Sequence, residues 1–263
     1  MIGAIAGDII GSKYEWARLK TKEFELLSDA STFTDDTVLT VAIAEQLLDG
    51  AAHVDLFHAY HARYPDAGWG GTFDHWAQHK RRESYQSWGN GSAMRVSPVA
   101  WAFDTLEEVT LQALKSAEVT HDHAEGIRGA QATAAAIFLA RTGHSKDAIR
   151  AHVTSEYGYD LSRSLDELRP HYKWDVSCQG SVPESILSFL ESTSYEDAVR
   201  NAISLGGDAD TMACIAGGIA EAFYGSVPEP IRAFALSRLD APLRAVTLRF
   251  VGTYAPRFLG AAR

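Results

Sequence analysis

The sequence predicts an all-α protein, and three observations carry that prediction. Apolar residues recur at helical spacing through most of the 263 residues, whereas the strict alternation of a half-buried strand hardly appears. Two runs, Ala130-Gln131-Ala132-Thr133-Ala134-Ala135-Ala136 and Ala213-Cys214-Ile215-Ala216-Gly217-Gly218-Ile219-Ala220, consist mostly of small residues. Helices of that kind have no bulky face to hold neighbours away and pack closely at the centre of a bundle. No Pro/Gly/Ser linker, low-complexity tract or repeat divides the chain, so 1–263 reads as one domain.

In chain order, the opening run Met1-Ile2-Gly3-Ala4-Ile5-Ala6-Gly7 is apolar but lacks a basic leader. Asp8 interrupts it too early for a signal-peptide core, and the run is assigned no helix. The first predicted helix, 35–48, begins behind Thr34, a good N-cap, with Asp35 and Asp36 in the first turn where the helix dipole favours them. Segments 54–62 and 72–82 follow on periodicity. A glycine-flanked turn, Gly89-Asn90-Gly91, precedes 92–103, with Ser92 as its cap, and 106–118 comes next. His121-Asp122-His123 opens 124–141, which holds the first small-residue run, and 146–157 follows. The stretch 158–180 is the least helical; with Pro170, His171, Tyr172, Trp174 and Cys178 it reads as a long ordered loop over a site or its rim. After 182–191 and 195–203, Asp208 caps 208–224, which carries the second small-residue run, and 229–239 and 242–251 complete the set.

Composition narrows the function. A hydrophobic share of 46% is ordinary for a globular protein, and a chain of this length can bury a large core. The net charge of −10 excludes nonspecific binding to nucleic acid or an anionic membrane. An anionic ligand therefore needs locally concentrated positive potential, which bound metal supplies. Cys178 and Cys214 are the only cysteines and show no CxxC spacing, which argues against a disulfide framework or zinc knuckle and fits a reducing cytoplasm. The longest apolar stretch, 130–140, is about half of the roughly 20 residues that a bilayer span requires. A soluble, cytoplasmic monomer is expected.

Two acidic clusters concentrate the chemistry: Thr34-Asp35-Asp36-Thr37 and Gly206-Gly207-Asp208-Ala209-Asp210-Thr211. Taken singly, each has a capping explanation. A cap uses one side chain, however, and together these segments supply four carboxylates and several hydroxyls. Oxygen donors of this kind suit Mg²⁺ or Mn²⁺, and two such clusters facing each other require a cation. The segment Trp88-Gly89-Asn90-Gly91-Ser92-Ala93-Met94-Arg95 either presents backbone N–H groups to an anion such as phosphate or is a generic turn capped by Ser92. Trp88 fits a stack on a nucleobase or simple burial. For His121 and His123, one alternative is contact of His121 with ligand phosphate or ribose; the other is that one imidazole caps the helix while its neighbour faces solvent. Glu15, after the glycine-rich turn from Gly11, either enters the site as a mobile acid or base or is a solvated loop carboxylate.

Taken in order, Gly7-Asp8 with Gly11-Ser12 and Glu15, the first acidic motif, the Gly89-to-Arg95 motif, His121 and the second acidic motif resemble the ADP-ribosylglycohydrolase family over almost the whole chain. The resemblance implies an all-α, single-domain orthogonal helical bundle with a binuclear Mg²⁺ or Mn²⁺ centre. Thr34, Asp35, Asp36, Asp208, Asp210 and Thr211 would then be the metal ligands, with Asp210 bridging, and the metals would grip hydroxyls of the distal ribose. Asn90, Gly91 and Ser92 would cradle the diphosphate beside Gly89, His121 would touch phosphate or ribose, and Trp88 would offer an aromatic to adenine. Glu15 would be the family's flexible-loop glutamate. Ser87 stands where arginine-directed members can carry an acidic residue, and so resembles serine-directed members. The implied reaction is hydrolysis at C1 of the distal ribose of an ADP-ribosylated protein or small molecule, releasing ADP-ribose. Asp35 or Asp36 would position the water and Glu15 would assist proton transfer. Two rival expectations stand beside it: a non-catalytic ADP-ribose binder, and a metal-dependent phosphohydrolase that cuts the diphosphate.

Overall fold

A computed structural model describes residues 1–256; the end of the predicted domain, 257–263, lies outside the described residues. In chain order its helices are α1 (Ile2–Ser12), α2 (Asp35–Asp49), α3 (His53–Arg63), α4 (Gly71–Gln78), α5 (Gly91–Met94), α6 (Val99–Ala102), α7 (Leu106–Glu118) and α8 (Ala124–Arg141). They continue as α9 (Lys146–Tyr157), α10 (Leu165–Leu168), α11 (Cys178–Leu190), α12 (Tyr195–Ile203), α13 (Ala209–Tyr224), α14 (Glu229–Arg238) and α15 (Ala241–Tyr254). The fold is all-α; an isolated antiparallel bridge pairs Gly89 with Ser177. Among the described residues no helix is long and apolar enough to cross a membrane.

Helix α13 runs through the centre, buried from Ala209 to Ala222, and packs against α1, α8, α11 and α12. Its small residues make this possible, as does α1, the helix that the apolar opening run conceals. Gly3, Gly7 and Gly11 recur every fourth residue and so share one face of α1. A Cβ on Gly7 would come within 2.0 Å of the Ala213 carbonyl oxygen, and one on Gly11 within 2.5 Å of the Ala209 carbonyl oxygen. The two backbones therefore touch with no side chain between them. This contact brings Asp8, next to Gly7, beneath the start of α13.

Three predicted elements differ from those observed. The segment 92–103 is interrupted between α5 and α6, because Pro98 has no N–H to donate and restrains Ser97. The segment 72–82 stops at Gln78; Lys80 turns the chain with φ of +48°. The expected loop 158–180 contains α10, held by a capping box from Ser164 and Glu167, and ends in the first residues of α11. Ser177 caps α11 by accepting from the Gly180 N–H, and Pro183 lies inside the helix, which continues to Leu190 without the bond that a Pro183 N–H would have made.

Candidate metal and ligand cavity

The N-termini of α2 and α13 meet beside the C-terminal end of α1 and form the floor of a cavity of about 450 Å³. Asp35, Asp36, Asp208, Asp210 and Thr211 all line it. Carboxylate oxygens of Asp8, Asp36 and Asp210 lie within 4.8 Å of one another, and those of Glu15, Asp208 and Asp210 form a second group at the same spacing. Asp210 belongs to both. The two ends of the chain thus supply one acidic floor, and Asp35 stands at its edge outside both groups.

Local hydrogen bonds separate the capping function from the rest. The Asp208 carboxylate does not cap α13; it accepts from Asn90 Nδ2 at 2.7 Å. Thr34 does cap α2, accepting from the Asp36 N–H, and its hydroxyl donates to Asp8 Oδ1 at 2.7 Å. Asp8 also accepts from the backbone N–H groups of Thr34 and Thr37 and from the Thr37 hydroxyl, so it ties α1 to the first turn of α2. Thr34 itself is not part of the cavity wall. Asp36 Oδ2 accepts from the Thr211 hydroxyl at 3.2 Å, while its buried Oδ1 has no partner among the described residues.

Burial and mutual repulsion hold these acids above the ordinary carboxylate range. Burial raises Asp36 and then Asp8 and Asp35 raise it further; burial followed by Asp208 and Asp36 does the same to Asp210. Burial pushes Asp8 up to about 6, its hydrogen bonds from Thr37 and Thr34 offsetting part of the effect. Half-buried Glu15 reaches about 7 through burial and the charge of Asp208. An all-oxygen donor set with an orphaned carboxylate oxygen and unfavourably crowded negative charge fits a hard divalent cation.

The glycine loop forms one wall. Its cradle is narrower than the resemblance implies, because two of its N–H groups are already used: Gly89 donates to Ser87 Oγ and Asn90 to the Val176 carbonyl. Gly91 and Ser92 occupy the first turn of α5, whose N–H groups have no partner within the helix. The Ser92 hydroxyl points away, donating to the Gly126 carbonyl at 2.7 Å, and Ser92 is absent from the wall. Trp88 is also outside the cavity; it is 54% exposed, with its ring 5.6 Å from that of His123. Aromatic surface comes instead from Trp16 and Trp174, stacked with centroids 4.7 Å apart, and from Trp69 on Phe73. The two histidines divide the alternatives between them: His123 caps α8, and His121 is buried at the cavity wall.

Sequence reasoning assigned no role to Asp8 or Arg95. The signal for Asp8 was a lone acid in an apolar run with glycines at helical spacing. Arg95 ends the glycine-loop motif and is fully buried, with its guanidinium 4.6 Å from the Phe57 ring centre. Burial lowers it to about 10.

Fold and cavity together define an all-α protein with an acidic floor and aromatic walls, sized for a polar small-molecule ligand. The chain belongs to the ADP-ribosylglycohydrolase family, whose model matches residues 1–251. It is 29% identical to the human ADP-ribosylhydrolase ARH3, over 87% of this chain and 86% of that protein. An ADP-ribosylarginine hydrolase Tri1 of Pseudomonas putida is 23% identical, over 86% of this chain and 69% of that one. A solved structure titled as an ADP-ribosylglycohydrolase-related protein complex superposes with a TM-score of 0.68 at 22% identity, covering 96% of this chain and 97% of the other, and shares the fold.

Proposed function

We propose that this protein is a divalent-cation-dependent ADP-ribosylhydrolase that cleaves the bond between C1 of the distal ribose and its acceptor, releasing ADP-ribose. The observation that carries this reading is Asp210 standing in both carboxylate groups beside the unpartnered Asp36 Oδ1, within a family of glycohydrolases. Asp36, Asp208, Asp210 and Thr211 would hold the cations, with Asp35 and Thr34 at the margin; each threonine hydroxyl donates to an aspartate, and Thr34 keeps one lone pair beyond the one that caps α2. When bound, Mg²⁺ or Mn²⁺ supplies Lewis acidity and neutralises the crowded charge.

The remaining work falls to the protein's own groups. Asp35, in the wall but outside both carboxylate groups, is free to accept a proton from the attacking water. Glu15, with its pKa near 7, carries a proton to give to the leaving acceptor as the C1 bond breaks and a bond from water to C1 forms. Gly91, in the wall, offers its backbone N–H to the diphosphate, with Ser92 buried behind it, and His121 faces the same region. The Trp16–Trp174 stack gives the rim an apolar surface for one end of the ligand. Ser87 lines the cavity and accepts from the Gly89 N–H; a neutral hydroxyl there, in place of an acidic residue, offers no ion pair to a cationic acceptor, and this favours acceptors other than arginine.

The deciding experiment offers ADP-ribosylated arginine, ADP-ribosylated serine, ADP-ribosylated nucleic acid and O-acetyl-ADP-ribose with Mg²⁺ or Mn²⁺ and analyses the products. Intact ADP-ribose from at least one is expected. Release of AMP would identify a phosphohydrolase, and binding of ADP-ribose without turnover of any substrate would leave a binding protein.

A further inference from the structure

We propose that Arg95 and Thr120 act as positioning residues that fix His121 as its Nε2–H tautomer, so that the ring offers a donor to a ligand oxygen beside Gly91. The inference rests on the proposed function only for the identity of the ligand. Arg95 Nη2 donates to the Ser116 carbonyl at 2.8 Å and to Thr120 Oγ1 at 2.9 Å. A guanidinium can only donate, so Thr120 Oγ1 accepts in that bond and its single proton must go elsewhere. The other hydrogen-bond partner of that oxygen is His121 Nδ1, at 2.7 Å. A buried hydroxyl proton left without an acceptor is costly, and Nδ1 as acceptor satisfies it.

The charge state makes the tautomer meaningful. Burial, and then the Arg95 charge, hold His121 well below its ordinary value. The neutral ring carries one N–H, and with Nδ1 accepting from Thr120 that proton sits on Nε2. The Nε2 edge faces the glycine loop: a Cβ on Gly91 would lie 3.2 Å from Nε2, and one on Gly89 3.7 Å from it. Nε2 has no hydrogen bond of its own among the described residues, although His121 is only 4% exposed. The relay thus runs from a permanently charged donor through a hydroxyl to the ring and ends on an N–H beside the cavity. An acceptor such as a phosphate or ribose oxygen matches it, whereas a donor would be rejected.

The test uses the full chain labelled with ¹⁵N-histidine, without cation or ligand, with His121→Asn to assign the His121 signals. Expected is a protonated Nε2 and an unprotonated Nδ1 in the wild type. Thr120→Ser should retain that pattern, and Thr120→Val should shift both nitrogens toward a tautomer mixture. Calorimetric titration with ADP-ribose should show Thr120→Val binding about tenfold more weakly, equivalent to about 1.4 kcal/mol, and Thr120→Ser restoring most of the loss. Thr120→Val with His121→Ala should bind no more weakly than His121→Ala alone, because both act through one hydrogen bond. A wild-type Nδ1–H tautomer, or losses from Thr120→Val and His121→Ala that add, would overturn the proposal. If Thr120→Val does not fold, the wild-type nitrogen spectrum still decides. If the wild type binds no ADP-ribose, the proposed function fails while the tautomer is read independently.

Discussion

Replacing Gly7 with alanine tests whether the acidic floor depends on backbone contact between α1 and α13. The new Cβ would stand 2.0 Å from the Ala213 carbonyl oxygen, 2.5 Å from its carbon and 2.8 Å from the Cys214 nitrogen, where Cβ contacts below 3.0 Å are essentially unknown. Restoring 3.0 Å from 2.0 Å requires α1 to move by on the order of 1 Å. All three obstacles are backbone atoms, with no rotamer to yield, so the cost belongs at the upper end of overpacking, about 3 kcal/mol. Alanine recovers about 1 kcal/mol of helix propensity, leaving a net loss of about 2 kcal/mol. At this chain length that lowers Tm by about 4–8 °C. Gly218→Ala is the control: it lies in the same central helix, but its Cβ would meet neighbours at an ordinary 3.5 Å, so it should be neutral or slightly stabilising. Thermal and urea unfolding measure both variants. Because Asp8 moves with α1, Gly7→Ala should also lose much of the stabilisation that Mg²⁺ or Mn²⁺ confers on the wild type. Equal stability of the two variants, with an undiminished cation effect, would refute the reasoning.

Three further outcomes follow from the charges of the site. Asp210→Asn removes a charge common to both carboxylate groups, so it should raise stability without cation, abolish the cation-dependent gain and eliminate release of ADP-ribose; for the wild type that gain is about 2.7 kcal/mol at a cation concentration of 100 Kd. In the wild type the cation-dependent gain should grow as pH rises from 5 to 7. Asp36 and Asp210 keep their protons well above the usual 3.8, so protons compete with cation at the lower pH and are released toward the higher one; a gain larger at pH 5 would contradict this. Glu15→Gln should reduce kcat on the order of 10²- to 10⁴-fold with little change in ADP-ribose affinity, and equal turnover by the two proteins would remove Glu15 from the proton transfer.

Much of the helical order was legible because most helices show one face to the core and another to solvent. Helix α1 was not, since its residues from Ile2 to Gly11 are all buried and three glycines interrupt any apolar stripe. The start of α11 was hidden by Pro183, which ordinarily argues against a helix interior. In the site, the two acidic motifs were visible as local patterns that exceed the needs of a cap. What they lack in sequence is the third partner: Asp8 lies 26 residues before Thr34, and only the glycine contact of α1 explains why they meet. From its place beside the glycine loop Trp88 fits either a stack on a nucleobase or burial, whereas rings that line the cavity, among them Trp16 and Trp174, come from segments far apart in the chain. Ser92 similarly spends its hydroxyl on Gly126, a bond that no local motif announces.

The glycine loop and the segment before α11 are stitched together by two backbone bonds, Asn90 N–H to Val176 O and Cys178 N–H to Trp88 O, each 2.8 Å long. Trp174 stands just upstream of that seam. For protein engineering the unit of exchange is therefore the pair: a chimera that takes its glycine loop from one homologue and its tryptophan-bearing stretch from another would leave mismatched edges. Transplanting both strips as one cassette would carry the rim and the anion-facing wall across in register.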